Sequence, residues 1–196
     1  YNLYEAHYYY GLCNLKLKIY DKALANFQTA VKGGLKNNDI LKNRAYVLSR
    51  LGLYENAVED YNEVLSSDSA DLSVHIDKAK ALISLQQNDQ ALKTVDYVLM
   101  KESSNADAVF LKAKLKFIMQ DYQEAADLSS KYLETNPKNL EVLSIRAASY
   151  EKFNEPEKAH ADYTEMISVE PKDVNLYVKR IALYVRMGRY DDALAD

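Results

Sequence analysis

"LYENAVEDYNEVL", Leu53 to Leu65, sets one small residue, Ala57, between two tyrosines, Tyr54 and Tyr61. The stretch carries no nucleophile, no metal-ligand pair and no glycine-rich phosphate loop, so the methyl group at its centre answers a packing requirement. That requirement repeats along the chain. Steps of 34 residues from Ala57 land on Ala23, Ala91, Ala125, Ala159 and Ala193. A second series at the same interval runs Gly11, Ala45, Ala79, Ala113 and Ala147, and breaks at Ile181. Self-similarity at a fixed period of roughly 20 to 50 residues changes the whole fold reading. Two small residues per unit mark two elements in close approach.

A third series fixes where the elements begin. Asn37, Asp71, Asn105, Asn139 and Asp173 keep the same interval, and each precedes a helix-compatible stretch. Such side chains cap helix N-termini by accepting a bond from an unpaired amide of the first turn. Short breaks follow inside each unit, at "LGLY" from Leu51, "QQND" from Gln86, "MQDY" from Met119, "FNEP" from Phe153 and "MGRY" from Met187. Pro156 then sits where a second helix starts and no amide proton is needed. Stop signals come at "GG" from Gly33, "TNP" from Thr135 and "VEP" from Val169. Each unit reads as helix, tight turn, helix.

On this reading Ala57 faces the partner helix of its own hairpin, where the opposing residue is also small, so that the two backbones can approach. Tyr54 and Tyr61 flank the contact and fill the space beside it, as do Tyr20, Phe27, Tyr122, Tyr163 and Tyr190 in other units. Bulk added at Ala125 should destabilise the fold by overpacking.

These residues together resemble the tetratricopeptide repeat family from about Tyr4 to Asp196. The family's pattern of small, aromatic and proline positions is carried by Gly11, Ala23, Phe27 and Ala30, and again by Ala147, Tyr150, Ala159, Tyr163 and Pro171. The resemblance implies an all-α fold, an α-solenoid or right-handed superhelix of stacked antiparallel hairpins. It divides residues 1–196, one array, into repeats 4–37, 38–71, 72–105, 106–139, 140–173 and a partial 174–196. The chain departs from the family in having no tryptophan, and the closing proline stands only in the fourth and fifth units. The opening "YNLYEAHYYY" has no initiator methionine, which reads as a window cut from something longer.

A column of cations, Arg44, Lys78, Lys112, Arg146 and Arg180, recurs at the same interval. Sixteen residues after each arginine stands an aspartate, Asp60, Asp162 or Asp196, whereas the lysine units have Thr94 and Leu128 there. Arginine and aspartate occur together, so the arginines are assigned to bridges within hairpins, a guanidinium forking onto a carboxylate as lysine does not.

Five glycines and three prolines leave few residues for hairpin turns of a β fold. A net charge of -4 with both signs dispersed offers no basic footprint for nucleic acid. No run approaches the roughly 18 apolar residues of a membrane span. A single cysteine, Cys13, suits a reducing compartment such as the cytoplasm, with a cytoskeletal or ciliary assembly as an alternative setting. Cys13 reads as a buried small hydrophobe. His7 and His75 stand at equivalent sites two units apart and cannot share a metal. Acidic neighbours such as Glu59 and Asp60 point apart on a helix and cannot do paired acid-base work. No catalytic residue, metal site or cofactor is expected, and an active site would have to lie outside these residues.

Binding of protein is the expectation that remains. By resemblance, the first helices line the surface that receives a partner, and the side chains singled out are Tyr8, Lys42, Tyr46, Lys80, Phe110, Lys114, Phe117 and Ile118. Leu111 is expected to join Phe110, Lys114, Phe117 and Ile118 in an open cluster. Apolar groups interleaved with lysines suit a peptide or helix with acidic and hydrophobic side chains, held by a scaffold or adaptor within a multiprotein complex. The carboxylate clamp of the family's chaperone-tail binders is missing, since Tyr46, Asp77, Asp107 and Leu111 stand where it would continue from Lys42. The asparagine ladder of the O-linked N-acetylglucosamine transferase superhelix is missing too, Asn43 being its only match.

Overall fold

The computed structural model describes residues 3–196. Twelve helices and no strand are found among the described residues, and consecutive helices pair as hairpins. They fall into two compact units, one ending at Lys101 and the other running from Glu102 to Asp196.

The first unit holds α1 (Leu3–Lys16), α2 (Tyr20–Lys32), α3 (Asn38–Arg50), α4 (Tyr54–Ser67), α5 (Leu72–Ser84) and α6 (Asn88–Lys101). Each second helix also packs on the first helix of the next hairpin, α2 on α3 and α4 on α5, while α1, α3 and α5 lie side by side. Its core runs through Ala23, Phe27, Ala30, Ala45, Ala57, Tyr61 and Val64. The second unit repeats the scheme with α7 (Ala106–Ile118), α8 (Tyr122–Leu133), α9 (Leu140–Lys152), α10 (Pro156–Val169), α11 (Val174–Arg186) and α12 (Tyr190–Ala195).

Both small-residue series are where close packing puts them. Ala23, Ala57, Ala91, Ala125 and Ala159 are completely buried, as are Ala45, Ala79, Ala113 and Ala147. Gly11 shows why the first unit goes one step smaller: a Cβ built there would stand 2.5 Å from Cε1 of the fully buried Phe27 ring. Ala193 is only half-buried, because the six-residue α12 has a single helix, α11, packed on it among the described residues. For the same reason Tyr190, expected as a filler, is exposed.

All five expected caps form. Asn37, Asp71, Asn105 and Asn139 accept from the amides of Ile40, Val74, Ala108 and Val142, and Asp173 accepts from Asn175. At ~1 kcal/mol each, they mark helix starts more sharply than propensity does. The turn inside every hairpin places one residue in the left-handed region: Lys18, Gly52, Gln86, Gln120, Asn154 and Gly188, with φ between 59° and 78°. Glycine occupies two of these six positions and an L side chain is strained at the others. Gln86→Gly and Gln120→Gly are each expected to raise stability by about 0.5–1 kcal/mol, the left-handed strain relieved exceeding glycine's extra unfolded-state entropy. Denaturant midpoints of the singles and the double would check this, and the two gains should add because the sites share no partner.

Candidate functional site

Of the singled-out residues in the first unit, Tyr46, 43% exposed on α3, and Lys80 on α5 stand open. Tyr8 is half-buried, its ring centroid 5.5 Å from Tyr9 and 6.1 Å from Phe27. Burial pushes its phenol pKa up, and the charge of Asp39 adds to the shift. Lys42 is engaged internally, with Nζ 2.6 Å from Oδ2 of Asp71, the capping residue of α5. Burial acts to raise the Asp71 pKa, but bonds from Lys42, Ser73 and the Val74 amide, with the charge of Lys42, outweigh it and bring the carboxyl to about 2. Lys80 Nζ lies 3.2 Å from Asp77 on its own helix.

Tyr46 separates two recesses on the face formed by α1, α3 and α5. The first, about 390 Å³, has Leu12, Leu15 and Tyr20 as apolar walls and Lys16, Lys18 and Asn43 at its polar side. The second, about 270 Å³, is bounded by Arg50, Tyr54, Tyr61, Asp77 and Lys80. Arg50 lies over the Tyr20 ring, 5.6 Å from its centroid, and so links the two. Lys16, Lys18 and Arg50 have no carboxylate partner among the described residues, so their charge is available. Sequence reading missed these cations. Their signal was present, since Lys16 and Arg50 are themselves one 34-residue step apart at the ends of α1 and α3.

In the second unit the expected open cluster is largely packed. Leu111 is buried, contrary to expectation, because its side of α7 faces the interior. Phe110 is half-buried, its ring 5.9 Å from Tyr132, and Phe117 meets the Tyr122 ring edge-on at 5.5 Å. Both phenylalanines therefore lean on tyrosines of α8. Lys114 sits over Phe110, 5.8 Å from the ring centroid, and reaches Glu141 Oε1 at 2.8 Å. Ile118 alone of the cluster is exposed.

The arginine column is internal, as the sequence implied. Arg44 donates to both oxygens of Asp60 at 2.7 and 2.5 Å, and Arg146 to both of Asp162 at 3.0 and 2.6 Å. Arg180 makes the same fork with Asp196. A further partner was not foreseen: sixteen residues before each of the last two arginines, Ser130 and Thr164 accept from Nη1 at 3.2 and 3.1 Å. Each such arginine thus ties the second helix of its own hairpin to that of the hairpin before it.

Cys13 is exposed, not buried as expected; two positions past Gly11 it lies some 200° round the helix from the hairpin contact. The histidines each serve a local contact. His7 Nδ1 is 2.9 Å from Asn26 Oδ1, His75 Nε2 is 3.0 Å from the Ser69 carbonyl, and His160 Nε2 is 2.8 Å from the Tyr184 hydroxyl. Among the described residues no group of three or more His, Cys, Asp or Glu could hold a metal ion, and no helix is long and apolar enough to cross a membrane.

Comparison with known proteins agrees with this architecture. Residues 81–194 match the model of the Psidin N-terminal TPR repeats region, and residues 19–71 match a tetratricopeptide repeat model. No curated protein matches the sequence. Among solved structures, a tetratricopeptide repeat protein from Parabacteroides merdae superposes with a TM-score of 0.80 at 22% identity, over 98% of this chain and 76% of that one. A thermophilic TPR protein from Thermus thermophilus gives 0.67 at 19% identity over 93% and 99%. MamA gives 0.74 at 18% identity over 81% and 86%. At these identities the likeness is one of fold. The Psidin-region match covers more than half of the chain, the hairpins repeat the family's small-residue packing, and the chain belongs to the tetratricopeptide repeat family.

Proposed function

We propose that this chain is a non-catalytic scaffold or adaptor segment that holds a peptide or helix of a protein partner against its first helices. Tetratricopeptide repeats in general bind protein, and one observation carries the reading here. Tyr46 stands exposed between two recesses whose rims hold cations without carboxylate partners. An aromatic anchor beside an apolar recess supplies binding energy, and unpaired cations select acidic neighbours in the ligand. The ligand chemistry is therefore an apolar side chain flanked by Asp or Glu. Tyr8, Lys42 and Lys80 border this surface, with the two lysines shaping it through their bonds to Asp71 and Asp77. Ile118, with Phe110, Lys114 and Phe117 behind it, offers a second and smaller patch on the other unit. A lone exposed thiol fits a reducing compartment, and we place the protein in the cytoplasm, within a larger assembly.

Fluorescent peptides of alternating acidic and large apolar residues, compared with the same peptides carrying lysine for each acid, test the reading. The acidic set should bind more tightly, weaken as salt is raised, and lose about tenfold in affinity with Tyr46→Ala or Arg50→Glu. Equal binding of the basic set, or indifference to both substitutions, would falsify it.

A further inference from the structure

The second recess beside Tyr46 holds a hydroxyl that nothing in the chain satisfies. Ser49 lines it, and its Oγ is shut off from solvent with no hydrogen-bond partner among the described residues. A helical serine can donate to the carbonyl four residues back. The buried Ser129 and Ser149 do so, to Ala125 and Ile145 at 2.7 and 2.8 Å, whereas Ser49 does not. The Tyr61 side chain, 2% exposed, lines the same recess with its hydroxyl close to Ser49. Burial pushes the Tyr61 phenol pKa up, with the charge of Asp77 adding to the shift, so that hydroxyl keeps a proton to donate.

The 34-residue period supplies a template for what is missing. Tyr61 and Tyr163 are equivalent, and the other repeats carry Phe27, Val95 and Ser129 at that position. By the same count Ser49 is equivalent to Glu151. The fifth repeat completes the pair from within: the Tyr163 hydroxyl donates to Glu151 Oε1 at 2.5 Å, and Arg186 donates to the other carboxylate oxygen. The second repeat keeps the tyrosine but shortens the glutamate to serine, and the cations lining its recess are Arg50 and Lys80. Donors for a carboxylate are therefore present where the carboxylate itself is not. One period earlier Leu15 and Phe27 replace Ser49 and Tyr61, so the first recess offers no such donors.

We infer that the recess of Tyr61, Ser49 and Arg50 is an oxyanion site that takes one Asp or Glu side chain of the bound partner, in the role Glu151 plays in the fifth repeat. This rests on the peptide-binding reading and assigns its parts: the apolar side chain goes to the recess walled by Leu12 and Leu15, the acidic one to the recess of Tyr61. Bonds from neutral hydroxyls and a guanidinium to a carboxylate are charge-assisted and stronger than neutral ones. Asp77 in the same recess is held by Lys80 at 3.2 Å, which leaves Arg50 as the surplus charge. One surplus positive charge matches a singly charged carboxylate better than a doubly charged phosphoryl group.

Ser49→Glu tests the site without any ligand, because it supplies the carboxylate from the chain itself. It should raise the denaturation midpoint, and Tyr61→Phe should cost more in that background than in the wild-type chain. This double-mutant cycle cancels the better helix propensity of glutamate. Phenylalanine is already what the first repeat carries at the Tyr61 position, so the fold should survive the change. Binding is read with fluorescent, C-terminally amidated peptides alternating glutamate and leucine, or glutamine and leucine. Ser49→Glu should cost the glutamate peptide about tenfold by occupying its place. Tyr61→Phe, which alters no charge, should weaken the glutamate peptide several-fold and leave the glutamine peptide unchanged. Zero coupling between Ser49→Glu and Tyr61→Phe overturns the inference. Glutamate-peptide binding that falls with Tyr46→Ala yet ignores both Ser49→Glu and Tyr61→Phe overturns it too, and leaves the peptide-binding reading standing. If the wild-type chain binds neither peptide, both fall.

Discussion

Replacing Asp162 with alanine is expected to lower the unfolding free energy by about 3–5 kcal/mol, the range for removing one partner of a buried ion pair. The Asp162 side chain is 3% exposed and accepts three hydrogen bonds from Arg146, so its loss leaves a guanidinium in the hairpin seam with Ser130 as its remaining acceptor. Lys36 and Glu63 give the contrast. They approach to 2.5 Å but are 48% and 43% exposed, and Lys36→Ala should change stability by less than about 0.5 kcal/mol. Distance alone would rank the two pairs alike; desolvation separates them. Urea denaturation of the two variants checks the ranking, and equal shifts would remove burial as the deciding cause.

The complementary change, Arg146→Met, has a signature in pH. Burial already pushes the Asp162 carboxyl above its ordinary value, while the bonds and charge of Arg146 pull the other way. Without the guanidinium the opposing pull disappears and the folded-state pKa rises further. A group whose folded pKa exceeds its unfolded one binds more protons in the native state. Stability of Arg146→Met should therefore be highest below the unfolded carboxylate pKa and fall as pH rises through the folded value. Arg146→Met with Asp162→Leu should recover much of the loss and flatten that dependence, because an apolar pair leaves no buried charge. A flat profile for the single variant would show that the carboxylate finds water or another donor.

How much of this was legible in the sequence follows from which contacts are local to a helix pair. Caps depend on the first turn alone, and Asn37, Asp71, Asn105, Asn139 and Asp173 all cap as read. The arginine forks depend on one hairpin, and their co-occurrence with aspartate exposed them. One miss needs a neighbour outside the hairpin. Lys42 is expected among the groove lysines, and its bond to the cap of α5 is a contact the sequence does not announce, since it is set by how one hairpin sits on the next. Leu111 and Cys13 were misplaced because the 34-residue period says that positions are equivalent without saying which arc of the helix is covered. The left-handed turn residues escaped notice since only Gly52 and Gly188 advertise them, while Lys18, Gln86, Gln120 and Asn154 adopt the same φ silently.

The small-residue series permits the second large effect. Ala125→Leu should cost about 3 kcal/mol, the upper end for overpacking, because Ala125 is completely buried on a helix gripped from both sides, by α7 and by α9. Nearby groups cannot yield: Ala126 is buried beside it, and the Ala125 carbonyl accepts the buried Ser129 hydroxyl at 2.7 Å. Three added carbons must therefore push α8 away from a neighbour, which should lower the melting temperature by roughly 6–12 °C for a chain of this size. Ala193→Leu is the internal control. It stands in the same series on α12, half-buried and packed against α11 alone, so added bulk can spread outward and the change should stay within about 0.5 kcal/mol. Equal effects at the two positions would mean that the methyl groups report helix propensity, and the close approach of paired helices would lose its main support.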